Sequence, residues 1–256
     1  MNNTPSSSSS STPSFPKKRF LKIRSKAFIL PSLVTVIGLF FGFIATIFAF
    51  NEDYKKAAIC ILFSVIFDAC DGRVARRLNV ASEFGKELDS LSDLIAFGIA
   101  PAVILYTWGF SSMADEFGII IAFLYLACGA LRLARFNVGA PTNVVPKGYF
   151  QGLPIPGAAG IIVILCYLYP QPITNINYAI ALMVISIIVS LVMISSIPYP
   201  SAKNLQLRNI NKALLFLAFS LLIAFIYYSP EITLALIFLC YGFSGILLKA
   251  YRAVVS

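Results

Sequence analysis

Asp68 and Asp71 stand three residues apart and Asp89 and Asp93 four apart, in a chain that is apolar on both sides of them. On α-helices each pair projects from one face, so two neighbouring helices can bring four carboxylates to one place. The chain has no His, and no Cys at metal-ligand spacing. An all-oxygen donor set suits a hard divalent cation such as Mg²⁺, Mn²⁺ or Ca²⁺ rather than zinc. Between the pairs lie Gly72, Arg73, Arg76, Arg77, Asn79, Gly85 and Lys86. Glycine admits close approach of backbone or ligand, and arginine offers phosphate two parallel hydrogen bonds. Two metal ions about 3.5 to 4 Å apart clamp the attacking and leaving oxygens of a phosphoryl displacement. The combination predicts a phosphate or diphosphate substrate, and the apolar surroundings predict a lipid one. Without imidazole, a general base is expected to be a carboxylate. Acidic side chains in membrane helices also serve cation transport and proton relays, so a transporter is the alternative from another class. Two pairs joined by a Gly/Arg segment at the membrane edge, rather than at its midplane, favour surface chemistry.

The elements that must position these residues are membrane helices. The 256 residues are 59% hydrophobic and 12% charged, against about 25% charged in soluble domains. Apolar stretches of the length needed to cross a bilayer predict an all-α, polytopic transmembrane bundle of about eight spans: 28–50, 57–73, 88–110, 117–135, 155–169, 178–197, 213–228 and 232–248. The net charge of +9 reads as topology and not as a nucleic-acid surface, because Lys and Arg in short loops set orientation. With the N-terminus inside, the cytoplasmic segments hold 18 of the 20 basic residues, leaving Lys55 and Lys56 outside. This arrangement puts both termini and the acidic cluster on the cytoplasmic side.

Residues 1–26 join a Ser/Thr/Pro tract, which cannot build a packed core, to a basic run; a disordered cytoplasmic tail is expected. A six-helix catalytic core over 27–212 and two further helices over 213–256, serving as packing or dimer surface, complete the expected organisation. Cys60, Cys70, Cys128, Cys166 and Cys240 read as small apolar residues of the spans. Gly38 and Gly42 are spaced to let helices approach closely.

At the acidic residues the chain resembles the CDP-alcohol phosphatidyltransferase family, whose signature is D-x2-D-G-x2-A-R-x8-G-x3-D-x3-D. Asp68, Asp71, Gly72, Ala75, Arg76, Gly85, Asp89 and Asp93 match every fixed position. The resemblance implies that Asp68, Asp71, Asp89 and Asp93 bind two divalent ions, Mg²⁺ or Mn²⁺, and that Asp93 is the base. It also implies that Gly72, Arg76, Ser82 and Gly85 contact the CDP-linked donor. Ser32 and Thr35 join them through the first span, where Pro31-Ser32-Leu33-Val34-Thr35 carries Ser in place of the usual Asn.

The segments 89–101, 131–137, 149–156 and 199–203 are similar to the phosphatidylserine synthase branch. That branch implies transfer of a phosphatidyl group from CDP-diacylglycerol to L-serine, with release of CMP. The alternative within the chemistry is another acceptor, glycerol 3-phosphate or an inositol phosphate. A serine carboxylate needs a cation; Arg132, Arg135, Lys147 and Lys203 are expected on the catalytic side, with Arg135, Asn137 and Lys147 as the preferred serine contacts. A homodimer surrounded by membrane lipids, in a bacterial inner membrane, follows from the same resemblance.

Overall fold

In the computed structural model, which describes residues 29–78, 82–139, 149–200 and 212–255, the apolar stretches form eight helices. They are α1 (Ile29–Phe50), α2 (Tyr54–Leu78), α3 (Glu83–Gly109), α4 (Asp115–Val138), α5 (Ile155–Leu168), α6 (Ile176–Ile194), α7 (Lys212–Tyr228) and α8 (Pro230–Val255). Two three-residue strands, β1 (Tyr149–Gln151) and β2 (Pro198–Pro200), pair antiparallel with Phe150 opposite Tyr199. The fold is all-α with this one small ribbon. Leu33, Phe40, Phe43 and Ile47 on α1, and Ile180, Val184, Ile188 and Leu191 on α6, form exposed apolar stripes at helical spacing. Such continuous exposed apolar faces mark contact with lipid, and the protein is an integral membrane protein.

Five helices are long and apolar enough to cross a bilayer: Leu30–Phe50, Glu83–Gly109, Glu116–Val138, Ile176–Ile194 and Pro230–Lys249. The other three depart from the expected span pattern for separate reasons. Helix α2 carries charge at both ends, Lys55 and Lys56 at the start and Arg73, Arg76 and Arg77 near the finish. Lys56 and Arg77 are roughly 32 Å apart along the axis at 1.5 Å per residue, close to the thickness of the hydrocarbon core. At its N-terminal end the Lys56 ammonium hydrogen-bonds Asp53 and holds that carboxyl below its ordinary range. Helix α5 has 14 residues, of which ten are buried; surrounded by protein, it need not match the bilayer. Helix α7 has 17 residues.

Helix α3 starts five residues before the expected span at 88, because Ser82 caps it: the Ser82 Oγ accepts from the Gly85 N–H at 3.0 Å. The early start places Asp89 and Asp93 on regular helix before the chain widens into π-helical turns at Leu94–Ile99 and Leu105–Gly109. Pro101 lies between those turns. It has no N–H for the carbonyl of Phe97, and in lipid that oxygen needs another donor. The buried Tyr125 hydroxyl of α4 supplies it at 3.0 Å.

Helices α1, α2 and α3 meet through small residues. The Ser64 hydroxyl of α2 donates to the Gly38 carbonyl at 2.9 Å. A Cβ at Gly42 would lie 2.6 Å from the Ala96 Cα of α3, so glycine permits that crossing. The expected close approach at these glycines is therefore present, within one chain. Gly42→Ala is expected to destabilise the bundle by about 1–3 kcal/mol through overpacking. Gly38→Ala, whose nearest added contact is 3.5 Å, is expected to have a smaller effect. Thermal unfolding of the two variants in detergent checks the order.

Candidate active site

Helix α2 brings Asp68 and Asp71 toward its C-terminal end, and the first turns of α3 bring Asp89 and Asp93 against them. One carboxylate oxygen from each of Asp68, Asp71 and Asp89 lies within 4.8 Å of the others. Asp93 lines the same cleft and sits within hydrogen-bonding reach of Asp68. Thr35, Gly38, Ser64, Ser92 and Phe97 complete the lining. Asp71 is 5% exposed; the Thr35 hydroxyl lies 2.7 Å from its Oδ2 and 3.1 Å from the Pro31 carbonyl. Its one proton is best used on the nearer, charged acceptor. The Ser92 hydroxyl donates to the Thr35 carbonyl at 3.3 Å, so α3 also fixes the α1 turn that holds Thr35.

The carboxylates repel one another, and like charges gathered in a desolvated cleft need positive charge between them. The three clustered carboxylates offer only oxygen donors, converge from two helices and are spaced so that a single hard cation can join them. The residues present therefore fit the divalent ion that the sequence predicts. Among the described residues, zinc-type nitrogen and sulfur donors are absent from the cleft lining.

Other expected site residues take varied positions. Gly72 follows Asp71 and is half-buried; Gly85 supplies the N–H that Ser82 caps. Ser32 is half-buried in the first turn of α1. Arg76 lies on α2 one turn beyond Gly72, and nothing is described of its side chain; Lys147 and Lys203 fall outside the described residues. Asn137 Nδ2 donates to Ser90 Oγ at 2.7 Å, and Lys86 Nζ to the Asn137 carbonyl at 2.9 Å, tying α4 to the start of α3.

Arg135 Nη1 donates to the Ile194 carbonyl at 2.8 Å, while Nη2 faces the carbonyls of Gln151, Met193 and Ser195 at 3.2 to 3.4 Å. It thereby joins α4, β1 and the C-terminal end of α6, where cations are favourable. Gly152 belongs to the same junction: its φ is +75°, and a Cβ there would lie 2.2 Å from the Met193 oxygen. Ser64 and Ser92 join the site without being among the residues expected there from the sequence. Ser64 stands four residues before Asp68 and so shares its helix face, which is the signal that points to it.

Residues 28–194 match the family model described as CDP-alcohol phosphatidyltransferase. The chain is 37% identical over 182 residues to the CDP-diacylglycerol–serine O-phosphatidyltransferase of Helicobacter pylori, covering 70% of this chain and 75% of that one. It is 37% identical over 179 residues to a protein of the same name from Methanocaldococcus jannaschii, covering 70% and 77% respectively. It is also 38% identical over 179 residues to the archaetidylserine synthase of Methanothermobacter thermautotrophicus, covering 67% and 69%.

Proposed function

The chain belongs to the CDP-alcohol phosphatidyltransferase family, and on that premise we propose that it transfers the phosphatidyl group of CDP-diacylglycerol to the hydroxyl of L-serine. The products are phosphatidylserine and CMP. The observation that carries this reading is the carboxylate cleft at the meeting of α1, α2 and α3 in an apolar, lipid-facing protein. The acceptor is taken from the relatives: the names of all three compared above carry serine.

The family is metal-dependent. Asp68, Asp71 and Asp89, with Asp93 beside them, are the residues we assign to two divalent ions, Mg²⁺ or Mn²⁺. When bound, such ions supply positive charge against the diphosphate during transfer. Thr35 holds the Asp71 carboxylate in place. We assign Gly72, Arg76, Ser82, Gly85 and Ser32 to the donor side, where glycines leave room for the diphosphate and Arg76 offers it a planar pair of donors. Asp93 takes the proton of the serine hydroxyl. The freed oxygen attacks the phosphorus that carries the lipid, the bond from that phosphorus to the CMP oxygen breaks, and CMP leaves with the electron pair. Apolar residues such as Phe97 keep bulk water away from the phosphorus.

For the amino acid, Asn137 keeps a buried Oδ1 without a partner among the described residues, which suits the serine ammonium. Arg135 engages both terminal nitrogens on main-chain carbonyls, and we assign it the positioning of the Gln151 and Met193 segments. Lys147 completes this side. We place the cleft and both termini at the cytoplasmic face of a bacterial inner membrane, on the support of 18 basic residues on one side. The eight helices are taken as eight spans, with 27–212 as catalytic core, 213–256 as an addition, 1–26 as a tail, and a homodimer as the working assembly.

The deciding experiment is CMP release by purified protein with CDP-diacylglycerol and Mn²⁺ or Mg²⁺. Release is expected with L-serine; release only with glycerol 3-phosphate or inositol phosphate overturns the acceptor. Metal flux in proteoliposomes without CMP release with any acceptor overturns the enzyme.

A further inference from the structure

We propose that Arg132 binds the carboxylate of the acceptor serine, and that Tyr241 of α8 walls this subsite from beyond the residues that define the family. The proposal rests on the serine-transfer reading and adds to it the residue that selects an amino acid.

Arg132 is 7% exposed, and no hydrogen bond or ion pair reaches it from the described residues; its Nε is fully buried without a partner. A buried guanidinium left in this state is unfavourable unless an anion completes it. Its contact with Phe136, 5.8 Å from the guanidinium carbon to the ring centroid, steadies the plane of the group and satisfies none of its donors. The contrast with Arg135, one turn on, is direct: Arg135 is engaged by four main-chain carbonyls, while the donors of Arg132 have no hydrogen bond among the described residues.

The surroundings select the ligand. Asp93 is the charged neighbour acting most strongly on Arg132, with Tyr241, Arg135 and Asp68 also within electrostatic reach. Neither aspartate forms an ion pair with Arg132 among the described residues. The guanidinium therefore stands near the proposed base without an ion pair to it among the described residues. A serine whose hydroxyl meets Asp93 has its carboxylate only a Cβ and a Cα away, which brings that carboxylate to the neighbourhood of Arg132. The planar fork of a guanidinium matches a carboxylate with two parallel hydrogen bonds.

Tyr241 belongs to α8, whereas the family match ends at residue 194. Its ring covers Gly157 of α5, where an added Cβ would lie 3.0 Å from the ring, and lies 5.9 Å from the Tyr199 ring, centroid to centroid. The Tyr199 hydroxyl donates to the Gly242 carbonyl at 2.8 Å and anchors this part of α8. The Tyr241 phenol acts electrostatically on Arg132, and its hydroxyl has no hydrogen bond among the described residues. It is thus a second donor for the same carboxylate, and α8 is more than packing.

The test is steady-state CMP release by full-length wild type, Arg132→Lys and Tyr241→Phe, varying L-serine and CDP-diacylglycerol in turn. Wild type without serine-dependent release defeats the parent reading and this one together. With an active wild type, Arg132→Lys is expected to raise the KM for serine about 10- to 100-fold, the effect of losing a charge-assisted pair, with the KM for CDP-diacylglycerol unchanged. A rise in the donor KM instead would assign the guanidinium to the diphosphate and overturn the proposal, as would no change in either constant. Tyr241→Phe, which keeps the ring, is expected to raise the serine KM about threefold, the effect of one neutral hydrogen bond. Should Arg132→Lys not fold, an unchanged serine KM in Tyr241→Phe overturns the subsite.

Discussion

Asp93→Asn is expected to fold and to release CMP with L-serine about 10²- to 10⁴-fold more slowly, the usual contribution of a positioned general base. Asparagine has the shape of aspartate but its amide oxygen is a far weaker base, so the hydroxyl proton loses its destination while the cleft keeps its form. Asp93 is the last residue of α3 before the π-helical segment Leu94–Ile99, and widened turns of this kind often accompany functional sites. The change in pitch directs the following residues into the core, with Ala96, Phe97 and Gly98 all buried. Asp93→Glu keeps the carboxylate but moves it by one methylene, and is expected to fall between Asn and wild type. Single-turnover CMP release checks the series; more than a tenth of wild-type turnover in Asp93→Asn removes Asp93 from the base role.

The parts of this site visible in the sequence are those set by local geometry. Spacings of three and four residues put Asp68 with Asp71 and Asp89 with Asp93 on common helix faces whatever the rest of the chain does. Thr35 was reached through resemblance alone, and its contact with Asp71, 36 residues away, depends on how α1 crosses α2. Arg132 and Arg135 show where sequence reasoning stops. They are the same residue type on nearly the same helix face, and nothing local separates them. What separates them is the arrival of the α6 end, 59 residues later, which delivers the Ile194 carbonyl to Arg135.

The spans followed the same division. Long apolar helices such as α1 and α6 were legible from composition because lipid demands apolar side chains over a fixed length. The depth of α5 and the charge-tipped length of α2 answer to neighbours rather than to lipid. The π-helical turns of α3 had one sequence hint, Pro101, and needed Tyr125 of α4 to satisfy the carbonyl that the proline leaves free.

Asp89→Asn is expected to change sign with metal. In EDTA the carboxylates of Asp68, Asp71 and Asp89 face one another and repel, so replacing one with a neutral amide should raise the unfolding temperature above that of wild type. With Mn²⁺ or Mg²⁺ the order should reverse. An ion bound only by the folded protein stabilises it by about 2.7 kcal/mol at one hundred times its Kd, or roughly 5–10 °C for a chain of this size. Wild type should gain that shift, Asp89→Asn much less, because one donor oxygen has lost its charge. EDTA should also abolish CMP release in wild type, and added metal should restore it. Asp53→Asn removes a carboxylate at the far end of α2 that is engaged by Lys56; it should leave the metal-induced shift intact, which separates loss of the site from general loss of negative charge. If Asp89→Asn gains as much from metal as wild type does, Asp89 holds no ion and the donor set must be redrawn without it.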